Sequence, residues 1–181
     1  MSTPRQAASF AAMSEGIDLP SGPTRGTLLP LFARVARLDA ALPQIRTAVA
    51  GETDRVAVEA TLACLLYETF VQASWCGFYR RTGPELLTVG PYQGPMGCLR
   101  IDFARGVCGA CARTREVQLV PDVEKFPGHI ACDSATKSEL VVPVVVNGEL
   151  RSVLDLDSRS HDAFSREEAD GLAAFLAEVF C

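Results

Sequence analysis

The chain has 181 residues, of which 48% are hydrophobic and 22% charged, and its formal net charge is -5. This length and composition predict one soluble globular domain with a sizeable core. The negative charge argues against a nucleic-acid partner, which would require a basic face. No apolar run approaches the roughly 18 residues that span a bilayer, and Met1–Gly16 lacks the continuous apolar stretch of a secretory signal. A cytoplasmic protein without a membrane partner is therefore expected.

The first part of the chain predicts a tail followed by two helices. Residues 1–26 are rich in Ser, Pro, Gly and Ala and predict a flexible tail. Apolar residues recur at helical spacing over Thr27–Ala50, in which Pro43 predicts a break. Asp54 is positioned to cap a second helix that runs to about Gln72.

Beyond these helices the pattern changes to short strands separated by Gly and Pro turns. The predicted strands are Ser74–Arg80, Glu85–Pro91, Cys98–Phe103 and Glu116–Pro121. A small helix is predicted over Gly106–Arg113, and Lys125–Ser138 is predicted to be a loop. The capping-box pattern from Ser165 to Glu168 predicts a last helix that ends near Phe180.

Asn147-Gly148 between two apolar runs is a strong hairpin marker. The first arm, Glu139–Val146, is apolar on both faces and predicts a central strand. The second arm, Glu149–Asp157, alternates, with Leu150, Leu154 and Leu156 on one face and Arg151, Val153, Asp155 and Asp157 on the other. Helices at both ends of a mostly antiparallel sheet predict a single α+β domain over residues 27–181.

Asp155 and Asp157 share one strand face, for which a solvated sheet edge is the ordinary explanation. A regular two-residue turn would place Glu139 opposite Leu156, pointing away from both aspartates. A three-residue loop, or a bulge near Pro143, would instead pair Glu139 with Asp155. We predict such an irregularity, which gathers the three acids into one pocket, where their mutual repulsion raises at least one pKa.

Cys132 stands among small and charged residues after the turn Pro127-Gly128, an unusual setting for a core cysteine. Asp133 or Ser134 is positioned to cap a short turn whose amides would favour a thiolate, although the charge of Asp133 opposes this. His129 is interpreted either as a proton relay or as a hydrogen-bond partner of the backbone.

The seven cysteines allow several interpretations. Without a secretory signal, free intracellular thiols are the default. Cys64, in an apolar run, and Cys76, in a strand-like segment, are predicted to be core residues. Cys108-Gly109-Ala110-Cys111 is a C-x-x-C motif, but it lacks the βαβ setting of thioredoxin-like chemistry.

Two further interpretations concern the remaining thiols. A structural zinc site is conceivable, but only one of the two expected C-x-x-C pairs exists among its four candidate ligands, Cys98, Cys108, Cys111 and Cys132. A redox relay among Cys98, Cys108 and Cys132 fits better, because Cys98 ends a flexible Gly- and Pro-rich loop, Gly90–Gly97. Such a loop can bring a second sulfur into bonding distance of the first.

Six segments together carry a family resemblance. They are Ala50-Gly51-Glu52-Thr53, Trp75-Cys76-Gly77-Phe78-Tyr79, Gly90-Pro91-Tyr92-Gln93-Gly94, Arg105-Gly106-Val107-Cys108-Gly109, Gly128-His129-Ile130-Ala131-Cys132-Asp133 and Val153-Leu154-Asp155-Leu156-Asp157-Ser158. Their order resembles the free methionine-(R)-sulfoxide reductases, which are built on a GAF fold. The resemblance covers the chain from about Ala50 to the C-terminus, with the helix before it.

The resemblance implies reduction of free L-methionine-(R)-sulfoxide with no metal or organic cofactor. Cys132 would be the nucleophile that attacks the sulfoxide sulfur and becomes a sulfenic acid. Cys98 would then form a disulfide with it, with Cys108 as the alternative partner, and a thioredoxin-like reductant would restore the thiols. Cys111 departs from the family, in which a small residue is expected at this position. The resemblance therefore does not decide which disulfide the reductant attacks.

The same resemblance assigns roles to the other site residues. Glu139, Asp155 and Asp157 would protonate the departing oxygen and bind the substrate's ammonium group. Trp75 and Tyr79 would pack against its methyl and thioether end, or are plain core residues. Many GAF domains dimerise through their terminal helices, so a homodimer is a further implication. The main alternative is a non-enzymatic GAF sensor of a small ligand or of oxidants, although a sensor usually accompanies an effector domain, for which this chain has no room.

Overall fold

The computed structural model describes residues 22–129 and 132–181. Its strands are β1 Trp75–Gly83, β2 Leu86–Gln93, β3 Arg100–Asp102, β4 Gln118–Val120, β5 Ser138–Val146 and β6 Glu149–Ser158. They form one sheet in the order β3-β2-β1-β6-β5-β4, in which every neighbouring pair is antiparallel. The predicted α+β class with a central antiparallel sheet is confirmed.

The helices lie on both faces of this sheet. They are α1 Leu31–Val49, α2 Arg55–Thr69, α3 Gly106–Thr114 and α4 Arg166–Val179. α1, α2 and α4 cover one face, and α3 with its neighbouring loops covers the other. Among the described residues, no helix has the length and apolar character needed to cross a membrane.

Two of the helix starts follow from local sequence. Asp54 accepts hydrogen bonds from the amides of Val56 and Ala57, which confirms its predicted role as the cap of α2. Ser165 and Glu168 form a complete capping box at the start of α4, as predicted. These side chains satisfy amides that have no partner within the helix.

The predicted break at Pro43 is wrong, because α1 continues through that residue without interruption. Proline removes one backbone hydrogen bond from a helix. Pro43 lies on the exposed face, where water can satisfy the freed carbonyl. Ala41 and Ile45 on the opposite face are completely buried, and their packing holds the helix together.

The predicted tail lies mostly outside the described residues, which begin at position 22. The part that is described packs on the domain. The amide of Gly26 donates to the carbonyl of Val71 at 2.7 Å, and the guanidinium of Arg25 lies 3.4 Å from the centre of the Tyr67 ring.

The hairpin between β5 and β6 contains the predicted irregularity, although on the other strand. The turn has two residues, since Val146 pairs with Glu149, and the register then shifts between Val144 and Val145. Arg151 of β6 is the unpaired residue of this bulge, so Glu139 lies opposite Asp157 and not opposite Asp155 as predicted. The bulge also turns Leu150 to the face of Val153, which corrects the predicted alternation.

The two faces of the sheet carry separate hydrophobic cores. Under the three long helices lie residues such as Ile45, Leu66, Phe78, Leu156 and Phe175. Under α3 lie Tyr79, Leu87, Cys111, Val141 and Val153. The core position of Cys76 is confirmed, whereas Cys64 is exposed because it lies on the outer side of α2, between the buried Ala63 and the half-buried Leu65.

At Gly77, β1 and β2 approach each other too closely to leave room for a side chain. A Cβ at this position would lie 2.7 Å from Cη2 of Trp75 and 2.8 Å from Cα of Tyr92. We expect Gly77→Ala to lower the free energy of unfolding by about 1–3 kcal/mol, since backbone and ring must move apart. The measurement is urea denaturation with the disulfide described below intact.

Gly171→Ala in α4 is the matched control. Its Cβ would lie 3.8 Å from Leu38, an ordinary contact. Because alanine is the better helix former, this variant should be more stable by about 0.5–1 kcal/mol. A Gly77→Ala protein as stable as the unmodified chain would contradict the close approach.

Candidate active site

A cavity of about 40 Å³ lies on the α3 side of the sheet. Its walls come from β1, from the loop before β3, from the first turn of α3, from the loop before β5, and from β5 and β6. The lining residues are Ser74, Trp75, Tyr79, Pro95, Met96, Gly97, Ile101, Gly106, Val107, Cys108, His129, Cys132, Asp133, Thr136, Glu139, Asp155 and Asp157. Seven of the eight predicted site residues line this one cavity, and the eighth, Cys98, is bonded to a lining residue.

The three predicted acids form the floor of the cavity. Glu139 on β5 lies opposite Asp157 on β6, and Asp155 lies two residues before Asp157 on the same strand face. On its other side, β6 pairs with β1, where Gly77 lies opposite Asp155. The ring of Trp75 and the backbone of Tyr92 occupy the space that a side chain on Gly77 would need. Glu139 and Asp155 are only 6% and 4% exposed.

Burial raises the pKa of every acid in this floor. For Glu139, burial acts first and the negative charges of Asp155 and Asp157 add to it, so its pKa lies well above the usual range. Burial raises the pKa of Asp157 in the same way, with a contribution from Asp155. The pKa of Asp155 rises to about 7 through burial, limited by side-chain hydrogen bonds from Cys108 and Glu139. The floor therefore holds protons at neutral pH.

No arginine or lysine is found among the described residues that line the cavity. The other two buried acids are paired, Glu59 with Arg80 at 3.5 Å and Glu168 with Arg34 at 3.6 Å. The acids of the floor thus have no cationic side chain to favour their ionised forms.

Cys98 and Cys132 form a disulfide at the cavity, with their Cα atoms 5.3 Å apart. The bond joins the loop before β3 to the loop before β5. Of the partners that the sequence left open, the structure pairs Cys132 with Cys98 and leaves Cys108 as a free buried thiol. A zinc site built from four thiolates is incompatible with this disulfide, since two of its ligands are consumed.

The turn that follows Cys132 has the predicted cap. Oδ1 of Asp133 accepts a hydrogen bond from the amide of Ala135 at 2.9 Å. Oδ2 of Asp133 accepts one from Arg159 at 3.0 Å, and both interactions lower the pKa of Asp133. Arg159 therefore offsets the charge that opposes a thiolate at Cys132. Sequence reasoning missed Arg159, because no local pattern connects it to this loop.

His129 lines the cavity beside Cys132. Its amide donates to the carbonyl of Phe126 at 3.1 Å. Burial lowers the pKa of its side chain, which favours the neutral ring. Residues 130 and 131, which belong to the same predicted motif, lie outside the described residues. Neither predicted role of His129 is decided by these contacts.

Trp75 and Tyr79 form an aromatic wall on β1. Their rings stack with centres 5.5 Å apart, and the ring of Tyr92 stacks on the other side of Trp75 at 5.2 Å. Nε1 of Trp75 donates to the carbonyl of Pro95 at 3.0 Å. A Cβ on Gly97 would lie 2.8 Å from the Tyr79 hydroxyl. The loop that carries Cys98 is therefore packed on this wall.

The C-x-x-C motif lies in α3 with both thiols buried. Sγ of Cys108 donates to Oε1 of Glu139 at 3.8 Å, and Sγ of Cys111 donates to the carbonyl of Val141 at 3.8 Å. Burial and the nearby carboxylates raise the pKa of both thiols. Both cysteines are thus held as neutral hydrogen-bond donors.

Two parts of the cavity wall were not predicted as site residues. The segment Pro95–Gly97 was recognised only as part of a flexible loop, and in the first turn of α3 only Cys108 was assigned a role, whereas Gly106 and Val107 were not. Gly106 begins that helix with φ of +66°, a conformation that favours glycine. Its amide donates to the carbonyl of Gly128 at 2.9 Å, which ties α3 to the loop of Cys132.

Comparison with known proteins agrees with this geometry. A protein-family model described as the GAF domain matches residues 54–179. The free methionine-R-sulfoxide reductase of Escherichia coli is 42% identical over 131 residues, 72% of this chain and 79% of that protein. The protein of the same name from Saccharomyces cerevisiae is 46% identical over 105 residues, 56% of this chain and 58% of that protein.

A solved structure is similar over most of the chain. It is the X-ray structure of the free methionine-R-sulfoxide reductase of Neisseria meningitidis in complex with its substrate, with 37% identity and a TM-score of 0.77. The match covers 88% of this chain and 96% of that one. The chain therefore belongs to the GAF domain family. Within that family, the predicted resemblance to the free methionine-R-sulfoxide reductases is confirmed.

The raised pKa values predict how stability depends on pH. The pKa of Asp155 is about 7 in the folded protein, against 3.8 for an unperturbed aspartate, so the folded state keeps a proton that the unfolded state releases. The resulting stabilisation is complete below about pH 4 and is lost as the pH rises to 7, by about 1.4 kcal/mol per pH unit. We expect urea denaturation of the disulfide form to show lower stability at pH 8 than at pH 5.

Asp155→Asn should flatten this dependence, because the amide does not titrate. Asp170→Asn is the matched control, since Asp170 is an exposed aspartate on α4, and it should leave the slope unchanged. A slope that is the same in all three proteins would show that the floor does not hold its protons.

Proposed function

We propose that this protein reduces free L-methionine-(R)-sulfoxide to L-methionine, as its named relatives indicate, and that residues 27–181 form the catalytic domain. The observation that carries the proposal is the Cys98–Cys132 disulfide at a cavity whose floor contains three carboxyls of raised pKa. In its reduced dithiol form, the cysteine pair supplies two electrons, and the carboxyls supply protons. Sulfoxide reduction requires both.

In the first step, the sulfur of Cys132 attacks the sulfoxide sulfur while an acid of the floor protonates the sulfoxide oxygen. The hydroxyl then passes from the substrate sulfur to the sulfur of Cys132, while the bond between the two sulfurs breaks and methionine leaves. The oxygen remains on Cys132 as a sulfenic acid, so the thiol is oxidised by two electrons and the sulfoxide is reduced by two. The capped turn at Asp133, with its charge offset by Arg159, supports the reactive form of Cys132.

In the second step, the thiol of Cys98 attacks the sulfenic sulfur. A disulfide forms and the oxygen leaves as water. We assign this role to Cys98 and not to Cys108, because the thiol of Cys108 is buried and its raised pKa disfavours the thiolate. A thioredoxin-like dithiol then exchanges with the disulfide and returns both cysteines to thiols. Because such reductants require a reducing compartment, we place the enzyme in the cytoplasm.

The cavity also suggests how a free amino acid is recognised. We assign the methyl and thioether end of the substrate to the wall of Trp75 and Tyr79. An ionised acid of the floor binds its ammonium group, and the first turn of α3, whose dipole favours an anion, binds its carboxylate. A residue inside a polypeptide chain has neither charge, so a peptide-bound sulfoxide is a poor substrate. No metal or organic cofactor takes part in these steps.

Replacement of the nucleophile tests the proposal directly. We expect the unmodified protein, with dithiothreitol, to form methionine from the free R sulfoxide and not from the S epimer or from a peptide-bound sulfoxide. Cys132→Ser should form none, because its hydroxyl is not oxidised by a sulfoxide. Methionine release is measured by chromatography.

Cys64→Ser is the matched control, since Cys64 is exposed and far in sequence from the site, and it should keep full activity. Activity in Cys132→Ser equal to that of the control would contradict the role of Cys132 as the nucleophile. Binding of the sulfoxide without any turnover would favour the alternative, a GAF sensor.

The acid floor predicts a second kinetic result. Glu139→Gln should lower kcat by about 10²–10⁴-fold, the usual contribution of a positioned acid, because the amide cannot protonate the leaving oxygen. Glu149→Gln, at the exposed start of the same hairpin, should leave kcat unchanged. Steady-state kinetics at neutral pH measure both. An unchanged kcat in Glu139→Gln would exclude Glu139 as the proton donor.

A further inference from the structure

Three side chains at the cavity floor have the arrangement of a metal site. Cys108 on α3, Glu139 on β5 and Asp155 on β6 each offer one ligand atom, and these atoms all lie within 4.8 Å of one another. The residues are 3%, 6% and 4% exposed. Since the three elements are separate in sequence, their convergence follows from the fold and from the register of the hairpin.

A second observation is that one carboxylate oxygen of this cluster has no hydrogen-bond partner. Oδ1 of Asp155 is buried and makes no hydrogen bond to any described residue. A buried carboxylate oxygen without a partner is costly. No lysine or arginine is among the described residues that line the cavity, so a bound cation would supply the missing interaction.

The distances and donor types fit a particular class of ion. Sγ of Cys108 lies 3.8 Å from Oε1 of Glu139. A tetrahedral zinc ion with a sulfur ligand at about 2.3 Å and an oxygen ligand at about 2.0 Å separates these atoms by about 3.5 Å. Magnesium and calcium prefer six or more oxygen ligands, which one thiolate and two carboxylates do not provide. The donor set therefore favours zinc.

We propose that Cys108, Glu139 and Asp155 bind one Zn²⁺ ion reversibly at the cavity floor, with the fourth ligand position open to the cavity. This site differs from a zinc site of four thiolates, because it uses neither Cys98 nor Cys132 and is compatible with their disulfide. It also differs from a catalytic cofactor, because no step of sulfoxide reduction requires it.

The bound ion would inhibit the enzyme, a consequence that rests on the function proposed above. It would hold Glu139 and Asp155 as ligands, so neither could give a proton to the sulfoxide oxygen. It would also occupy the floor where the substrate's ammonium group binds. Zinc binding itself does not depend on that function, so the two ideas fail separately.

The test uses the disulfide form of the full chain with Cys64 and Cys181 replaced by serine, which removes the two exposed thiols. After treatment with a chelator, Co²⁺ is added as a spectroscopic probe and then displaced with Zn²⁺. We expect one Co²⁺ per chain, with a thiolate-to-cobalt charge-transfer band and the visible bands of tetrahedral coordination. Zn²⁺ should abolish both.

Cys108→Ser should lose the charge-transfer band and bind Zn²⁺ more weakly by at least the roughly 10- to 100-fold that loss of an outer-shell partner costs. Cys111→Ser is the matched control, because Cys111 lies one turn along the same helix with a comparably buried thiol, and it should keep both. If Cys108→Ser does not fold, Glu139→Gln provides a second test of the site. It should weaken Zn²⁺ binding, while the thiolate-to-cobalt charge-transfer band remains.

A charge-transfer band that persists in Cys108→Ser, or no Co²⁺ binding by the disulfide form, would overturn the proposed site. Inhibition is measured separately, as methionine formation at buffered Zn²⁺ concentrations. Inhibition that follows the occupancy measured with Co²⁺ supports the regulatory role, and full activity at saturating Zn²⁺ overturns it. A protein that binds zinc and has no reductase activity would contradict the proposed function and leave the metal site standing.

Discussion

The pairing register between β5 and β6 determines whether this chain has an acidic site. Side chains alternate between the two faces of a sheet, so a shift of one residue moves a whole set of side chains to the other face. The single bulge residue, Arg151, places Glu139 opposite Asp157 and on the face of Asp155. In an unbroken two-residue hairpin, Glu139 would lie opposite Leu156 and point into the helical core.

That register places three buried acids together without a cationic partner, unlike the two buried glutamates described next. Glu59 and Glu168, which are also buried, each have an arginine within 3.6 Å. Glu139, Asp155 and Asp157 have no such partner among the described residues that line the cavity. Their pKa values are raised as a result, and the same lack of a cation supports both proposals made above, proton donation to the substrate and binding of a metal ion. If both proposals hold, one arrangement of acids serves catalysis and also makes the enzyme sensitive to inhibition by a metal ion.

The sequence was most informative where a local pattern has a single structural outcome. Asn147-Gly148, Asp54 and the Ser165–Glu168 box predicted a turn and two helix starts correctly. We predicted a bulge because a regular hairpin would separate Glu139 from the two aspartates. No local pattern indicates which strand carries the extra residue. Pro43 shows that helix propensity alone does not decide where a helix ends. The hydrogen bond lost at Pro43 lies on an exposed face, while the buried side chains of Ala41 and Ile45 pack in the core and stabilise the helix.

The partner of Cys132 and the packing of the loop before β3 depend on contacts that are distant in the chain. Trp75 holds the carbonyl of Pro95, and Gly97 lies against the hydroxyl of Tyr79. With the disulfide formed, this loop lines the cavity, whose volume of about 40 Å³ holds a few water molecules. In the oxidised molecule, the sulfur of Cys132 is bonded to Cys98 and is not available as a nucleophile. In the proposed function, the enzyme must therefore be reduced before it reacts with a second sulfoxide, which predicts ping-pong kinetics with parallel lines in a double-reciprocal plot.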